Sequence, residues 1–318
     1  MMKLMMVLAV LGLPALATAQ TKKTTTSPVA PAAPAASQAA TPATDEADQV
    51  ITNRRLRASE GSLSKWSMST YWNYSGGSLA DPTEPARPNI VGGGNVQTLQ
   101  SLYGEIGVKY RLTKLDSLTA STGLFMTTPF HSKIDSNSTQ KKGFDENSRK
   151  LNIQDPFLKY THMNRFFGMQ SISNIQGIYI TNNQLKDSLR SQLVLQQVFM
   201  KDVGDTGLSL GGAFIGKFWS LTEEAGPNAA EREIGFYPVA EYVINDTYNL
   251  RTTFGWQVYQ SLKKHDMDTF NKLKVYQSVG LGISVTRDVF LYPNIQFIPS
   301  NIRRDVTNIA MSANINLF

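Results

Sequence analysis

The strongest constraint on this chain is the way its connections sort by length. From residue 62 to residue 318, twelve stretches alternate apolar and polar side chains with a period of two, the signature of strands with two unlike faces. They are 63–74, 97–112, 117–128, 157–163, 169–181, 189–200, 206–219, 234–244, 248–259, 273–286, 289–298 and 306–318. The connections 113–116, 164–168, 201–205, 245–247 and 287–288 are about five residues or fewer. Between them fall 75–96, 129–154, 182–188, 220–233, 261–272 and 299–305, most of them far longer. A soluble sandwich has no reason to alternate long and short connections so strictly. An up-and-down antiparallel barrel with two unequal rims does so by construction.

The last stretch shows what the two faces are for. Ile309, Met311, Ala313, Ile315 and Leu317 alternate with Asn308, Ala310, Ser312, Asn314 and Asn316. No helical segment precedes it to cover the apolar face, so that face is expected to meet lipid. The strand should pair with 63–74 to remove the edges of the sheet. Phe318 is in phase with Asn316 rather than Leu317, and a bulge near the end would reconcile this. The fold class expected is therefore all-β, a transmembrane barrel of about twelve strands with short periplasmic turns and longer extracellular loops.

Composition is compatible with this and excludes several alternatives. The mean hydropathy is −0.23, and no run approaches the ~18 apolar residues of a membrane helix. A barrel needs none, because only every second residue faces lipid. The absence of cysteine excludes disulfides, thiolate zinc sites and lipidated cysteine anchors. A net charge of +6 is modest, no Lys/Arg run exceeds two residues, and no nucleic-acid-binding motif is present. No metal cluster, haem motif or phosphate cradle is recognisable, so no cofactor is expected; Gly92-Gly93-Gly94 reads as a loop tip.

Residues 1–19 read as an export signal, with Lys3, an apolar core over 5–13 and Ala17-Thr18-Ala19 as the cleavage site. Residues 20–44, rich in Thr, Ala and Pro, read as a disordered spacer. Residues 45–61 place Asp45, Glu46 and Asp48 before Arg54, Arg55 and Arg57, which suits a short helix ended by Gly61 or a solvated loop, beside or plugging the periplasmic floor of the barrel.

Together, signal, spacer, alternating strands, sorted loops and a terminal Phe resemble the outer-membrane β-barrels of diderm bacteria, the porins among them. Within 45–66, Ile51-Thr52-Asn53, Leu56-Arg57-Ala58 and Gly61-Ser62-Leu63-Ser64-Lys65-Trp66 look like the lead-in of porin-like barrels from predatory bacteria. Some of those are oligomeric rings enclosing lipid. The resemblance implies outer-membrane lipid and small solutes or ions as partners.

The polar faces should line the lumen. Centring the 245–247 turn on Asp246 sets Glu241 opposite Arg251, close enough for an ion pair. Inward charges by alternation are Lys65, Lys109, Arg111, Arg190, Lys217, Arg251 and Lys274 against Glu105 and Glu241, a net basic lumen that favours small anions. Lys159, Thr161, Asn174 and Gln176 spoil the apolar face of strands four and five, which marks that sector as a candidate subunit contact in a homo-oligomer. The basic loop 129–154 either sits outside or folds inward. Trp66, Trp72, Tyr74, Tyr110, Tyr248 and Trp256 are expected at the lipid interfaces. No enzyme is expected. His131-Ser132 lacks the His-x-Ser spacing of barrel phospholipases, and His265-Asp266-Met267-Asp268, which resembles part of a barrel protease site, finds only Glu223-Glu224 as a weak second acidic pair. His162 reads as structural. Two other readings stay open, a non-conducting ring that encloses lipid and an outer-membrane hydrolase.

Overall fold

In the computed structural model, the described residues are 45–90, 97–130, 151–181, 188–226, 229–255, 257–262, 271–272 and 275–317. The signal and spacer readings, most of the 129–154 loop, His131, the 265–268 stretch, Lys274, Trp256 and Phe318 lie outside them.

Twelve antiparallel strands close into a barrel. They are β1 (Trp66–Ser78), β2 (Ser101–Arg111), β3 (Asp116–Thr127), β4 (Leu151–Phe166), β5 (Met169–Tyr179), β6 (Leu189–Asp202), β7 (Leu208–Leu221), β8 (Ala230–Val243), β9 (Tyr248–Gly255, continuing as Gln257–Leu262), β10 (Tyr276–Ser284), β11 (Val289–Phe297) and β12 (Asn308–Leu317). Each pairs with its sequence neighbour, and β12 pairs with β1 in unbroken register from Met68↔Leu317 to Ser75↔Ala310. The expected bulge at the end of the last strand is therefore absent up to Leu317. Closure gives each of the twelve strands a hydrogen-bonded neighbour on both sides, which lipid demands. The connections 112–115, 167–168, 203–207, 244–247 and 285–288 gather at one rim, and the long ones at the other. A short hairpin, Ala86–Pro88 with Gln97–Leu99, lies within the first long connection and is tied to the barrel where Asn308 Nδ2 donates to the Pro88 carbonyl at 2.9 Å.

The alternation read from sequence is the alternation of faces. Val108, Ile153, Ile175, Leu195, Leu210 and Leu250 point out and are exposed, as a lipid-facing surface requires. Trp66 and Tyr110 meet outside the barrel near the short-turn rim, their rings tilted by 52° with centroids 4.6 Å apart. Phe199, Phe214 and Phe236 stack across β6, β7 and β8 on the same outer surface.

Two differences from expectation matter for the interior. First, β4 runs for 16 residues, taking in 151–154, which the sequence assigned to a loop. Second, residues 45–61 form two helices, α1 (Glu46–Val50) and α2 (Arg54–Glu60), inside the barrel at its short-turn end. The chain breaks between them because each helix has its own N-cap. The Asp45 side chain accepts from Ala47 N–H at 2.9 Å, and Asn53 Oδ1 accepts from Leu56 N–H at 3.0 Å. The break leaves two arginines in the first turn of α2, where the helix dipole disfavours them. Arg54 is compensated by Asp246, 2.6 Å away. Gly61 closes α2 at φ +80°, a conformation suited to glycine, and a Cβ there would meet Asn316 Oδ1 at 2.7 Å.

Candidate functional site

The lumen is the candidate site, and α1 and α2 shape it. Ala47, Ile51 and Leu56 of the helices pack against Met163, Ile172, Met200 and Val239, wall residues that point inward. This patch explains why a barrel with a polar interior carries apolar residues on that side: the wall matches the apolar face of the plug. Around it runs a ring of polar attachments. Arg111 Nη2 donates to Asp45 Oδ1 at 2.7 Å and Arg111 Nη1 to the Leu63 carbonyl at 2.7 Å. Arg287 grips Asp48 through Nε and Nη2 at 3.0 and 2.8 Å and reaches the Gly61 carbonyl at 2.7 Å. Lys109 Nζ donates to the Glu60 carbonyl and lies 3.7 Å from its carboxylate. Gln170 Oε1, fully buried, accepts from the backbone of Thr52 and Asn53 at 2.8 and 2.7 Å. Asn53 Nδ2 in turn donates to Glu241 Oε2 at 2.8 Å.

These contacts revise the charge of the lumen. Glu241 and Arg251 face each other in the expected register and approach to 2.8 Å, both nearly inaccessible to solvent. Lys109 and Arg111 point inward but are neutralised by Glu60 and Asp45 of the plug. Lys217 pairs with Glu233 at 2.6 Å, an acid the sequence had placed in a loop. Glu105 points inward and accepts from the Tyr103 hydroxyl at 2.7 Å. Lys65 and Arg190 are exposed near the two rims, and Lys65 Nζ lies 5.5 Å from the outward Tyr110 ring. The alternation that placed Lys65 inside ends at the strand terminus, where a long side chain is free to turn.

Lys159, Thr161, Asn174 and Gln176 face the interior, where Thr161 Oγ1 donates to Asn174 Oδ1 and Asn174 Nδ2 to Gln196 Oε1 at 2.7 and 3.0 Å. The sequence had them outside. The inward apolar residues Phe157, Met163 and Ile172 obscured the phase of strands four and five. Their true outer faces carry Leu158, Tyr160, Ile175 and Tyr179 towards the long-loop rim, and His162 and the hydrogen-bonded pair Ser173 and Gln197 nearer the short turns.

On the long-loop side of α2 the lumen opens into a cavity of about 340 Å³. Arg55 and Glu60 of α2 line it from the plug, and Tyr71, Glu105, Lys159, Gln176 and Asn314 from the wall. Sequence reasoning missed Arg55 because it read 45–61 by helix charge alone. The signal was present in the apolar set Ala47, Ile51, Leu56 and Ala58, which needs a partner surface. Arg55 makes no hydrogen bond or ion pair among the described residues; its neighbours are Arg251, Glu241, Tyr71 and Tyr292. Burial, and then the Arg251 charge, push its pKa down to about 10, so it remains cationic at neutral pH. At the short-turn rim, His162 Nδ1 lies 2.8 Å from Asp116 Oδ1 on the outer surface. No group of residues with metal-ligand character occurs among the described residues.

No family model matches the chain, and no curated protein matches it. Solved structures do. An outer-membrane channel from Pseudomonas putida F1 matches with a TM-score of 0.51 and 13% identity, over 81% of this chain and 97% of that one. The NanC porin matches with a TM-score of 0.41 and 8% identity, over 79% and 98%. LpxR from Salmonella typhimurium matches with 0.38 and 9%, over 79% and 99%. The expectation that the protein is no enzyme is withdrawn on this finding. Likenesses at 13% identity and below show the fold alone, and a shared barrel decides neither for nor against catalysis. Closed barrel, sorted rims, lipid-ready exterior and these likenesses agree that the chain has the fold of the bacterial outer-membrane β-barrels.

Proposed function

We propose that the protein is a porin-like barrel that passes small solutes across the outer membrane, with a weak preference for anions, and that its N-terminal helices restrict the periplasmic mouth. The observation that carries this reading is the open half of the lumen, a polar cavity of about 340 Å³ that ends on a plug held by a small apolar cluster and a ring of ion pairs and hydrogen bonds. Twelve strands enclose less space than the 16–18 of wide porins, so only small solutes fit beside or past the helices. With most inward cations neutralised, the anion preference rests on Arg55 and Lys159.

Reconstitution in planar bilayers tests the proposal. The expected result is a small conductance whose reversal potential in a potassium chloride gradient favours chloride. A cation-selective reversal potential would remove the anion preference, and a silent barrel would turn the reading towards a closed, structural one.

A further inference from the structure

The strand pairs leave two cations over. Lys109 is matched by Glu60, Arg251 by Glu241, and Lys217 by Glu233. Glu241, which also faces Arg55, is already shared by Arg251 and Asn53. Arg55 on α2 and Lys159 on β4 both line the same cavity, and neither has a hydrogen bond or ion pair among the described residues. Against them stands Glu105, one of whose oxygens is occupied by Tyr103. The cavity therefore holds a surplus of one positive charge. Its remaining lining is rich in uncommitted hydrogen-bonding groups: the amides of Gln176 and Asn314 and the amino group of Gln196 find no partner among the described residues. A volume of about 340 Å³ lies within the roughly 300–1,000 Å³ of small-molecule sites.

We infer that this cavity is a binding site for a small hydroxylated monocarboxylate, its carboxylate held between the Arg55 guanidinium and the Lys159 ammonium and its hydroxyl groups by Gln176, Gln196 and Asn314. The inference deepens the solute-channel reading and rests on it for its biological sense. A planar guanidinium presents paired N–H donors that match a carboxylate, and a site partly withdrawn from water strengthens such bonds. One monoanion also neutralises the surplus charge; a dianion would leave a negative charge among low-dielectric walls. Because Arg55 belongs to the plug and Lys159 to the wall, a bound carboxylate ties the two together.

Titration calorimetry on the full-length protein in mild detergent tests this, with gluconate as probe and glucose as its uncharged counterpart. The expected result is saturable gluconate binding, weakened at least tenfold in Arg55→Gln and in Lys159→Gln, largely kept in Lys159→Arg, and undetectable for glucose. Circular dichroism confirms that each variant retains the wild-type strand content; Lys159→Arg keeps the test decisive should a Gln variant fail to fold. Absence of gluconate binding to the wild type, or binding as tight as the wild type's in either folded Gln variant, overturns the inference. A barrel that conducts chloride without binding gluconate sinks this site and leaves the channel reading intact. A barrel that binds gluconate without conducting keeps the site and sinks the channel.

Discussion

At the scale of single residues, the interior is governed by the cost of leaving a charge alone. Glu241 and Arg251 meet across β8 and β9 with side chains only 2% and 7% exposed. Taking such a pair out of water is expensive, and removing one member leaves the other without compensation, at a cost of about 3–5 kcal/mol. Arg251→Met should therefore destabilise the folded barrel by about that amount in a denaturant titration of the micelle-bound protein. Adding Glu241→Gln should restore a good part of the loss. A double variant as unstable as the single one would mean that Arg251 acts through packing, for instance against the Tyr292 ring 5.1 Å away. This pair was legible from sequence because a tight turn fixes register: centring 245–247 was enough. Lys159 was not legible, because alternation gives the relative phase of side chains but not which phase faces in. Where plug-facing apolar residues such as Met163 and Ile172 enter the inner face, the hydropathy criterion points the wrong way.

At the scale of elements, α1 and α2 are too short to be stable alone, since isolated helices below about 12–15 residues are marginal in water. The wall holds them. Asp45 is the clearest anchor. Its partial burial works against ionisation, but the hydrogen bonds from Arg111 and from Ala47 N–H, with the Arg111 and Lys114 charges, outweigh it and lower its pKa below the ordinary 3.8. A carboxyl whose folded value lies below its unfolded value stabilises fully above the unfolded value and ceases to do so as the pH falls through the folded one. Docking of α1 should thus be insensitive to pH near neutrality and weaken below about pH 3.8. Amide exchange over 46–50, corrected for its intrinsic pH dependence, should report this loosening. Asp45→Asn should exchange faster at neutral pH and lose this part of the acid dependence. Acid-insensitive exchange in the wild type would show that Asp45 does not anchor the helix. The strands themselves were largely legible, with boundaries missed chiefly at β4. The plug was half legible: its helical character and its Gly61 stop followed from residue types, but the split at Asn53 and the lumenal position depend on long-range partners such as Gln170 and Arg287 that no local pattern reveals.

At the scale of the whole molecule, barrel closure and the plug follow from one another. Sorted connections make a closed barrel with its short turns at one rim, and the segment preceding β1 must start from that same rim. The shortest route to burying Ala47, Ile51 and Leu56 is then upward into the lumen. The central claim is that these helices, rather than the barrel wall, limit passage. Asp48 and Arg287 offer the cleanest way to test it, because Arg287 sits in a short turn and its bond to Asp48 contributes little to the barrel itself. Hydrogen bonds to charged groups contribute about 1.5–3 kcal/mol each, enough to shift a docked segment towards release when one is lost. The decisive measurement is single-channel conductance of the wild type beside Asp48→Asn and Asp45→Asn/Asp48→Asn. The expected result is small conductance in the wild type and longer or larger openings in the variants, most of all in the double one. Equal conductance in all three, whether large or absent, would contradict it.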